Sequence, residues 1–288
     1  MKTLGYYNGI FDEIDKMSIP MNDRVHWFGD GIYDAGPCRN YNIFALGEHI
    51  DRFFNSAGLL GMKVPVTKEQ LKKLLQSLVL KMDTGNLFVY YQLTRGTAPR
   101  NHVFPEGAGN LWITLTPAEI PDGLTPIRLI TTEDTRFMHC NIKTLNLLPS
   151  VMASERAKQA GCQESVFYRP GGRVTECAHS NVHILKRGVL CTAPTDELIL
   201  PGIARAHLIR ACKKLEIPVS ETAFTLDELY DADEIIVTSS SNLCLYANEI
   251  DGKAAGGKDP ERREKLRSFL IDEFHRATAI SQKQEKTA

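Results

Sequence analysis

The chain predicts an α/β (α+β) protein of two domains, and three observations carry that expectation. Runs of strand composition alternate with runs of helical periodicity. The segment Pro117-Ala118-Glu119-Ile120-Pro121-Asp122-Gly123-Leu124-Thr125-Pro126 interrupts them with three prolines, which withhold the amides that ladders and helices both use. A length of 288 residues is enough for two cores without covalent staples. The expected division is a smaller N-terminal domain (1–116), a linker (117–126), a larger C-terminal domain (127–277) and a polar tail (278–288). A cleft between two such domains is a common place for a ligand.

The first domain opens with a strand and continues helix, helix, strand. His49 to Met62 carries Ile50, Phe53, Phe54 and Leu59 on one helical stripe. Thr67 opens a second helix with Leu71, Leu74, Leu75 and Leu78 at helical spacing, and Glu69-Gln70 stand where a capping partner is needed. Leu87–Leu93 and Leu111–Leu115 are aromatic and β-branched, as strands are. The second domain begins with a strand over Ile127–Thr132. A helix from about Leu147 to Ala160 follows, stopped by Gly161, a residue suited to the left-handed turn after a helix. Further strands are expected at Ser165–Tyr168, Val182–Leu185 and Glu234–Thr238, and helices at Gly202–Leu215 and Pro260–Ala277. Ser281–Ala288 is too polar to pack.

Composition narrows the function. Thirty-four basic residues meet 35 acidic ones, with no long block of either sign, so binding to nucleic acid or to an anionic membrane has no electrostatic footing. A small-molecule substrate is the better expectation. Seven cysteines lie scattered without Cys-x-x-Cys spacing, which suits reduced thiols. No stretch of 18 apolar residues is present and Met1–Gly9 has no apolar signal core, so a cytoplasmic location is expected.

Two residues point to a chemistry. Lys143, in Cys140-Asn141-Ile142-Lys143-Thr144-Leu145-Asn146, is flanked by apolar residues and short amides, a setting in which an amine loses hydration and can attack a carbonyl. Glu176 follows in Val174-Thr175-Glu176-Cys177-Ala178-His179-Ser180-Asn181. A lysine that forms a Schiff base and a carboxylate that keeps a pyridine nitrogen protonated are the two groups that pyridoxal 5'-phosphate (PLP) requires of a protein. Pro201-Gly202-Ile203-Ala204 precedes a helix, and the free amides of a first helical turn attract a phosphate. Thr238-Ser239-Ser240-Ser241-Asn242 ends a strand with hydroxyls and amides that could complete such a cup. Cys177, His179, Asn181 and His183 alternate as they would on one strand face, but no second Cys/His pair stands at ligand spacing, so no metal is expected.

The run Glu176-x-Ala178-x-x-Asn181-Val182, Leu190-x-Thr192, Leu200-x-Gly202-Ile203-x-Arg205 resembles the signature of the class IV aminotransferases, the fold-type IV PLP enzymes. Arg24, Phe28-Gly29-Asp30-Gly31-Ile32-Tyr33, Glu48-His49-Ile50-Asp51-Arg52 and Ile142-Lys143-Thr144-Leu145-Asn146 extend the likeness over about residues 3–275. It implies a two-domain enzyme with PLP in the interdomain cleft, Lys143 as the Schiff-base and proton-shuttling lysine, Glu176 at the pyridine nitrogen, and Arg52, Gly202, Ile203, Ala204 and one of Ser239, Ser240 and Ser241 around the phosphate. Two positions depart from the signature: His183, where Phe or Tyr is usual, and Asp34, where Glu is usual.

Within the family, Arg95-Gly96-Thr97-Ala98-Pro99-Arg100-Asn101-His102 is similar to a run of the D-amino-acid transaminases. A guanidinium fork beside a second donor matches a carboxylate. The likeness implies that Arg100, His102 and Tyr33 bind the substrate α-carboxylate, that Arg100 and His102 reach into the neighbouring subunit of a homodimer, and that D-alanine- or D-glutamate-type donors exchange their amine with a 2-oxo acid. Branched-chain L-aminotransferases and aminodeoxychorismate lyases share the lysine region but generally lack this Arg-x-His pair; they are the alternatives on the same fold, and a non-catalytic PLP-binding protein is the alternative from another class, disfavoured because Lys143 and Glu176 are both present.

Overall fold

Residues 2–280 are described by a computed structural model. They divide into two compact units, and the division is not a single cut. One unit joins the chain up to Ile120 to Ile142–Asn146 and to the residues from Phe274; the other comprises Pro121–Asn141 and Leu147–Glu273.

The first unit runs β1 (Leu4–Tyr7), β2 (Ile10–Glu13), a short turn of 3-10 helix at Ile14–Lys16, α1 (Arg24–Phe28), β3 (Gly31–Arg39), β4 (Asn42–Ile43), α2 (Leu46–Leu59), α3 (Lys68–Val79), β5 (Leu87–Thr94) and β6 (Asn110–Pro117). Its strands form one antiparallel sheet in the order β2-β1-β6-β5-β3-β4. Alternation decides which face is covered: Leu111, Ile113 and Leu115 are buried, while Trp112 and Thr114 between them stay half-exposed. Val89, Tyr91 and Leu93 of β5 join the same core, which Ile50, Phe53 and Ala57 of α2 and Leu71, Leu75 and Leu78 of α3 complete. Each such aliphatic side chain contributes roughly 1.5–3 kcal/mol by leaving water. The expected cap of α3 is present: Thr67 Oγ1 accepts from the Gln70 amide at 3.2 Å and Gln70 Oε1 accepts from the Thr67 amide at 2.8 Å.

The lysine segment was expected in the C-terminal domain, yet it is an addition to β3. The Tyr33 amide donates to the Lys143 carbonyl (2.9 Å), the Leu145 amide donates to the Gly31 carbonyl (3.0 Å), and Ile32 and Thr144 form a bridge. Only glycine allows this approach, because a Cβ on Gly31 would lie 2.6 Å from Leu145 Cδ1 and 2.7 Å from the Leu93 carbonyl oxygen. Thr278, expected to begin a loose tail, is buried, and its carbonyl accepts from Asn40 Nδ2 at 3.0 Å. Ser281–Ala288 lie outside the described residues.

The second unit contains β7 (Ile127–Glu133), α4 (Leu148–Gln159), β8 (Glu164–Tyr168), β9 (Val174–Cys177), β10 (Asn181–Lys186), β11 (Val189–Thr192), α5 (Ile203–Lys214), β12 (Val219–Ser220), α6 (Leu226–Tyr230), β13 (Glu234–Thr238), β14 (Leu245–Ile250), β15 (Lys253–Ala254) and most of α7 (Pro260–Ala277). The sheet order is β12-β11-β10-β13-β14-β7-β8-β9, with β15 on β14. It is mixed: β14·β7, β7·β8 and β11·β12 are parallel. Both faces are covered, so its central strands read as continuous apolar runs. Val182, Ile184, Ile235 and Val237 enter one core. Leu185 and Ile236 enter the other, with Leu208, Ala211 and Cys212 of α5 and Leu266 and Leu270 of α7. The alternation expected through Cys177, His179, Asn181 and His183 is broken by a turn, in which the Cys177 amide bonds the Ser180 carbonyl at 2.8 Å. Among the described residues no helix is long and apolar enough to cross a membrane.

Candidate active site

In the first unit, the pairing of the lysine segment with β3 sets Lys143 beside Tyr33. The Lys143 Nζ stands 4.2 Å from the centre of the Tyr33 ring. Both residues are half-buried, and among the described residues no carboxylate pairs with this amine. The Lys143 amide donates to Ser56 Oγ (3.3 Å), which ties the segment to α2. Tyr33 stacks on Tyr90 at 5.4 Å, and Tyr90 donates its hydroxyl to Gln92 Oε1 at 2.7 Å.

Beneath Tyr33 lies a buried charged cluster. Asp34 accepts from Arg52 Nε (2.8 Å) and Nη2 (2.7 Å) and from His49 Nδ1 (2.7 Å). Burial alone would raise its pKa, but Arg52 and His49 hold the carboxyl well below the usual range. His49 moves down because burial outweighs Asp34, with Arg52 and Lys143 adding to the shift. Asp34 therefore fixes Arg52 by a planar fork. Asp34 is itself a β3 residue, so the fork ties Arg52 to that strand.

Arg100 and His102 are exposed and meet at Phe28: the guanidinium carbon is 5.3 Å and the imidazole centre 5.1 Å from the centre of that ring. Their loop is braced from below. Arg24, buried and paired with Asp30 at 2.8 Å, donates to the carbonyls of Asn101 and Val103, and Arg95 shares Asp30. The predicted carboxylate-binding hand is thus assembled around Phe28, while Tyr33 is assembled with Lys143.

In the second unit, Glu176 is buried at the end of β9. Its Oε1 takes Arg136 Nη1 at 2.5 Å, and its Oε2 takes Asn181 Nδ2 and the Leu200 amide, each at 3.0 Å. Arg136 also forks onto Asp134 (Nε–Oδ1 and Nη2–Oδ2, both 3.0 Å). Burial works against the charge on Arg136, yet Asp134 and Glu176 hold it more firmly protonated than a free guanidinium. Sequence reasoning missed Arg136 and Asp134. The available signal was a carboxylate and an arginine two apart in Glu133-Asp134-Thr135-Arg136, directly after a strand.

Asn181 ties Glu176 to the turn before α5, since its Nδ2 also donates to the Leu200 carbonyl at 3.0 Å. A Cβ on Gly202 would fall 2.0 Å from Asn181 Oδ1, so this position must be glycine. Gly202 is the N-cap of α5 and carries no side-chain cap, which leaves the amides of the first turn, including Ile203 and Ala204, to another acceptor. At the end of β13, Ser239 Oγ and Ser241 Oγ lie 3.0 Å apart, and Ser239 Oγ accepts from the Asn242 amide at 3.2 Å. Ser240 between them is half-buried. Ser239 and Asn242 border a cavity of about 580 Å³ also lined by Arg128, Glu164, His179 and Ser180. His179, whose role the sequence left open, pairs with Glu164 there.

These groups fit PLP by their donor chemistry: an amine without an acidic partner, a buried carboxylate held by three donors, an uncapped helix start and a serine-rich turn. The family profile described as amino-transferase class IV matches residues 31–250. The chain belongs to the class IV aminotransferases. Its cofactor is PLP. It is similar to D-alanine aminotransferase of Listeria monocytogenes (39% identical, over 92% of this chain and 94% of the relative) and to that of Bacillus licheniformis (35%, over 90% and 92%). Among solved structures it resembles the branched-chain aminotransferase of Thermoproteus uzoniensis (TM-score 0.87, 23% identical, 98% and 97% covered). It also resembles a putative 4-amino-4-deoxychorismate lyase of Legionella pneumophila (TM-score 0.83, 24% identical, 90% and 97% covered). At those identities the likeness to the aminotransferase and the lyase shows a shared fold.

Proposed function

We propose that the protein transfers the amino group of a D-amino acid of the D-alanine or D-glutamate type to a 2-oxo acid. The observation that carries this reading is Lys143, a half-buried amine with no acidic partner, held over Tyr33 by backbone pairing to β3. The substrate class is carried by the 35–39% identity to D-alanine aminotransferases over some nine-tenths of the chain.

When bound, PLP supplies a carbonyl carbon for the substrate amine and a ring that accepts the electrons left at Cα. Lys143 would anchor the cofactor through Nζ and, once released, take the α-proton and return it on the cofactor side, a transfer governed by proximity. Glu176 would keep the ring nitrogen protonated, and the Arg136, Asn181 and Leu200 contacts hold its carboxylate in one orientation. Arg52, the first-turn amides of Gly202, Ile203 and Ala204, and the hydroxyls of Ser240 and Ser241 would bind the phosphate. Tyr33, Arg100 and His102 would take the substrate carboxylate.

We assign the working form to a homodimer in which Arg100 and His102 serve the partner's site. Two features support it: their loop is organised around Phe28 and ends in exposed Val103 and Phe104, and Phe137, Met138, Leu148, Val151 and Met152, close in sequence, are each exposed. Exposed apolar side chains that cluster mark association. A cytoplasmic location agrees with the cysteines, all seven of which are free thiols.

Rates with D- and L-alanine, D- and L-glutamate, L-leucine and aminodeoxychorismate, using 2-oxoglutarate as acceptor for alanine and leucine and pyruvate for glutamate, test the function. The D-amino acids are expected to be faster than their L-forms by a large factor. L-leucine or L-glutamate at equal or higher rates would remove the D-specific reading and leave the family standing.

A further inference from the structure

His183, which occupies a position where the family signature carries Phe or Tyr, lies in a hydrogen-bonded chain that the proposed mechanism does not use. Strands β10, β11 and β13 turn one face toward α5. Over most of its length that face is apolar, with Leu185, Leu190 and Ile236 packed in one cluster with Leu208, Ala211 and Cys212 of the helix. Near the first turn of α5 it becomes polar. His183 and Thr192 are cross-strand partners there, Thr238 lies two residues beyond Ile236, the partner of His183, and Arg205 comes from the helix. Their relative exposures are 0% for His183, 1% for Thr192 and Thr238, and 4% for Arg205. At such burial each polar hydrogen must find its partner within the protein or on a bound ligand.

The contacts form a line. Arg205 Nε donates to Thr192 Oγ1 (3.2 Å), Thr192 Oγ1 meets His183 Nδ1 (2.9 Å), and His183 Nε2 meets Thr238 Oγ1 (2.9 Å). Arg205 is itself fixed by Nη2 bonds to the Ala193 carbonyl (2.9 Å) and Glu221 (2.8 Å). Burial and the nearby Arg205 push His183 down to about 3, so the ring is neutral and carries one hydrogen. A guanidinium only donates, so Thr192 must accept from Arg205. If Nδ1 carried the ring hydrogen, Thr192 would accept twice and its own hydroxyl hydrogen would be stranded. With the hydrogen on Nε2 every link closes: Arg205 to Thr192, Thr192 to Nδ1, Nε2 to Thr238. The surplus hydroxyl hydrogen then emerges on Thr238, the last residue of β13, directly before Ser239-Ser240-Ser241.

We propose that His183 is a positioning residue for the phosphate-holding turn: as the Nε2–H tautomer it carries hydrogen-bond polarity one way, from Arg205 through Thr192 to Thr238. The strand end is thereby held with a donor available for an acceptor-only phosphate. The inference rests on the reading of Ser239–Ser241 and the start of α5 as the phosphate site. Phe at this position, the family's usual type, would end the line at Thr192.

The full-length chain, stripped of cofactor, is titrated with PLP and with pyridoxal, which lacks the phosphate. His183→Phe and Thr238→Val are each expected to weaken PLP by about tenfold, the size of one lost hydrogen bond to a charged group, while pyridoxal binding stays within twofold. The double variant should be no weaker than the worse single one, because a line is broken once. Nitrogen NMR of labelled His183 in the holoenzyme should show a neutral ring protonated at Nε2. Equal losses for PLP and pyridoxal, additive losses, unchanged PLP affinity, or an Nδ1–H ring would each overturn the proposal. A wild-type chain that binds PLP no better than pyridoxal would overturn the phosphate reading beneath it, and the ring tautomer would then be a structural detail only.

Discussion

The roles proposed for Lys143 and Glu176 depend on neighbours that fix their side chains, and both can be tested singly. Lys143→Ala is expected to abolish transamination and to remove the label left by borohydride; in the wild type, mass analysis should find the pyridoxyl group on Lys143, and a label on another lysine would sink the assignment. Glu176→Gln removes a charge while keeping the shape, so the cofactor should remain bound and kcat should fall by far more than cofactor affinity, the pattern of a lost transition-state effect. Activity within a few-fold of wild type would reassign Glu176 to structure. His183 supplies a pH test. Its free value is about 6.5, and the fold pushes it down to about 3. As pH falls between those values the unfolded chain binds a proton that the native chain refuses, so native stability must fall, by at most about 1.4 kcal/mol per pH unit from this group. Asp34, held below the ordinary carboxylate range by Arg52 and His49 against its burial, adds a loss of the same sign below about pH 4. Urea unfolding from pH 7 to 4.5 should therefore show a shallower loss in His183→Phe than in wild type; parallel curves would contradict the buried neutral ring.

At the level of elements, two glycines place segments of the proposed site. Gly31 lets the lysine segment lie along β3, and Gly202 lets the start of α5 approach Asn181. Gly31→Ala must push against a backbone carbonyl as well as Leu145, so the Lys143 strand should detach before the domain unfolds. Amide exchange at Lys143–Leu145 is expected to accelerate while β5 and β6 stay protected; uniform acceleration would show instead that the whole unit had loosened. The helix α3 offers a quieter control. Thr67→Ala deletes one half of the capping box and should cost about 1 kcal/mol with kcat unchanged, since α3 contributes Leu71, Leu75 and Leu78 to the core and no group to the site.

For the molecule as a whole, the assignment of Arg100 to the partner's site predicts complementation. Lys143→Ala and Arg100→Ala chains are inactive or weak alone, the second by roughly 2–4 kcal/mol in kcat/KM toward D-alanine if one side of a charged contact is lost. Mixed and allowed to exchange subunits, they should recover about a quarter of wild-type activity, because half of the dimers are hybrids and each twofold hybrid has one intact site. No recovery would place Arg100 in its own chain's site. Acceptance of amines without a carboxylate should survive Arg100→Ala.

The sequence by itself determined the elements and the chemical types. Helical spacing, the Thr67 cap and the β-branched runs are local, and local signals set α3, β5, β6, α5 and α7 within a residue or two of the expected ends. Lys143, Glu176 and the Gly202 turn could be proposed from the sequence because residue type and spacing along the chain suggest their chemistry. What only the tertiary structure decided is which distant segments meet: the lysine segment against β3 rather than in the second domain, Arg136 on Glu176, Asp34 between Arg52 and His49, and the line from Arg205 to Thr238. Each of these joins residues from different elements through backbone pairing or buried charge. Their partners are chosen by sheet register and by the need of every buried polar group for a mate, conditions that exist only once the chain has folded.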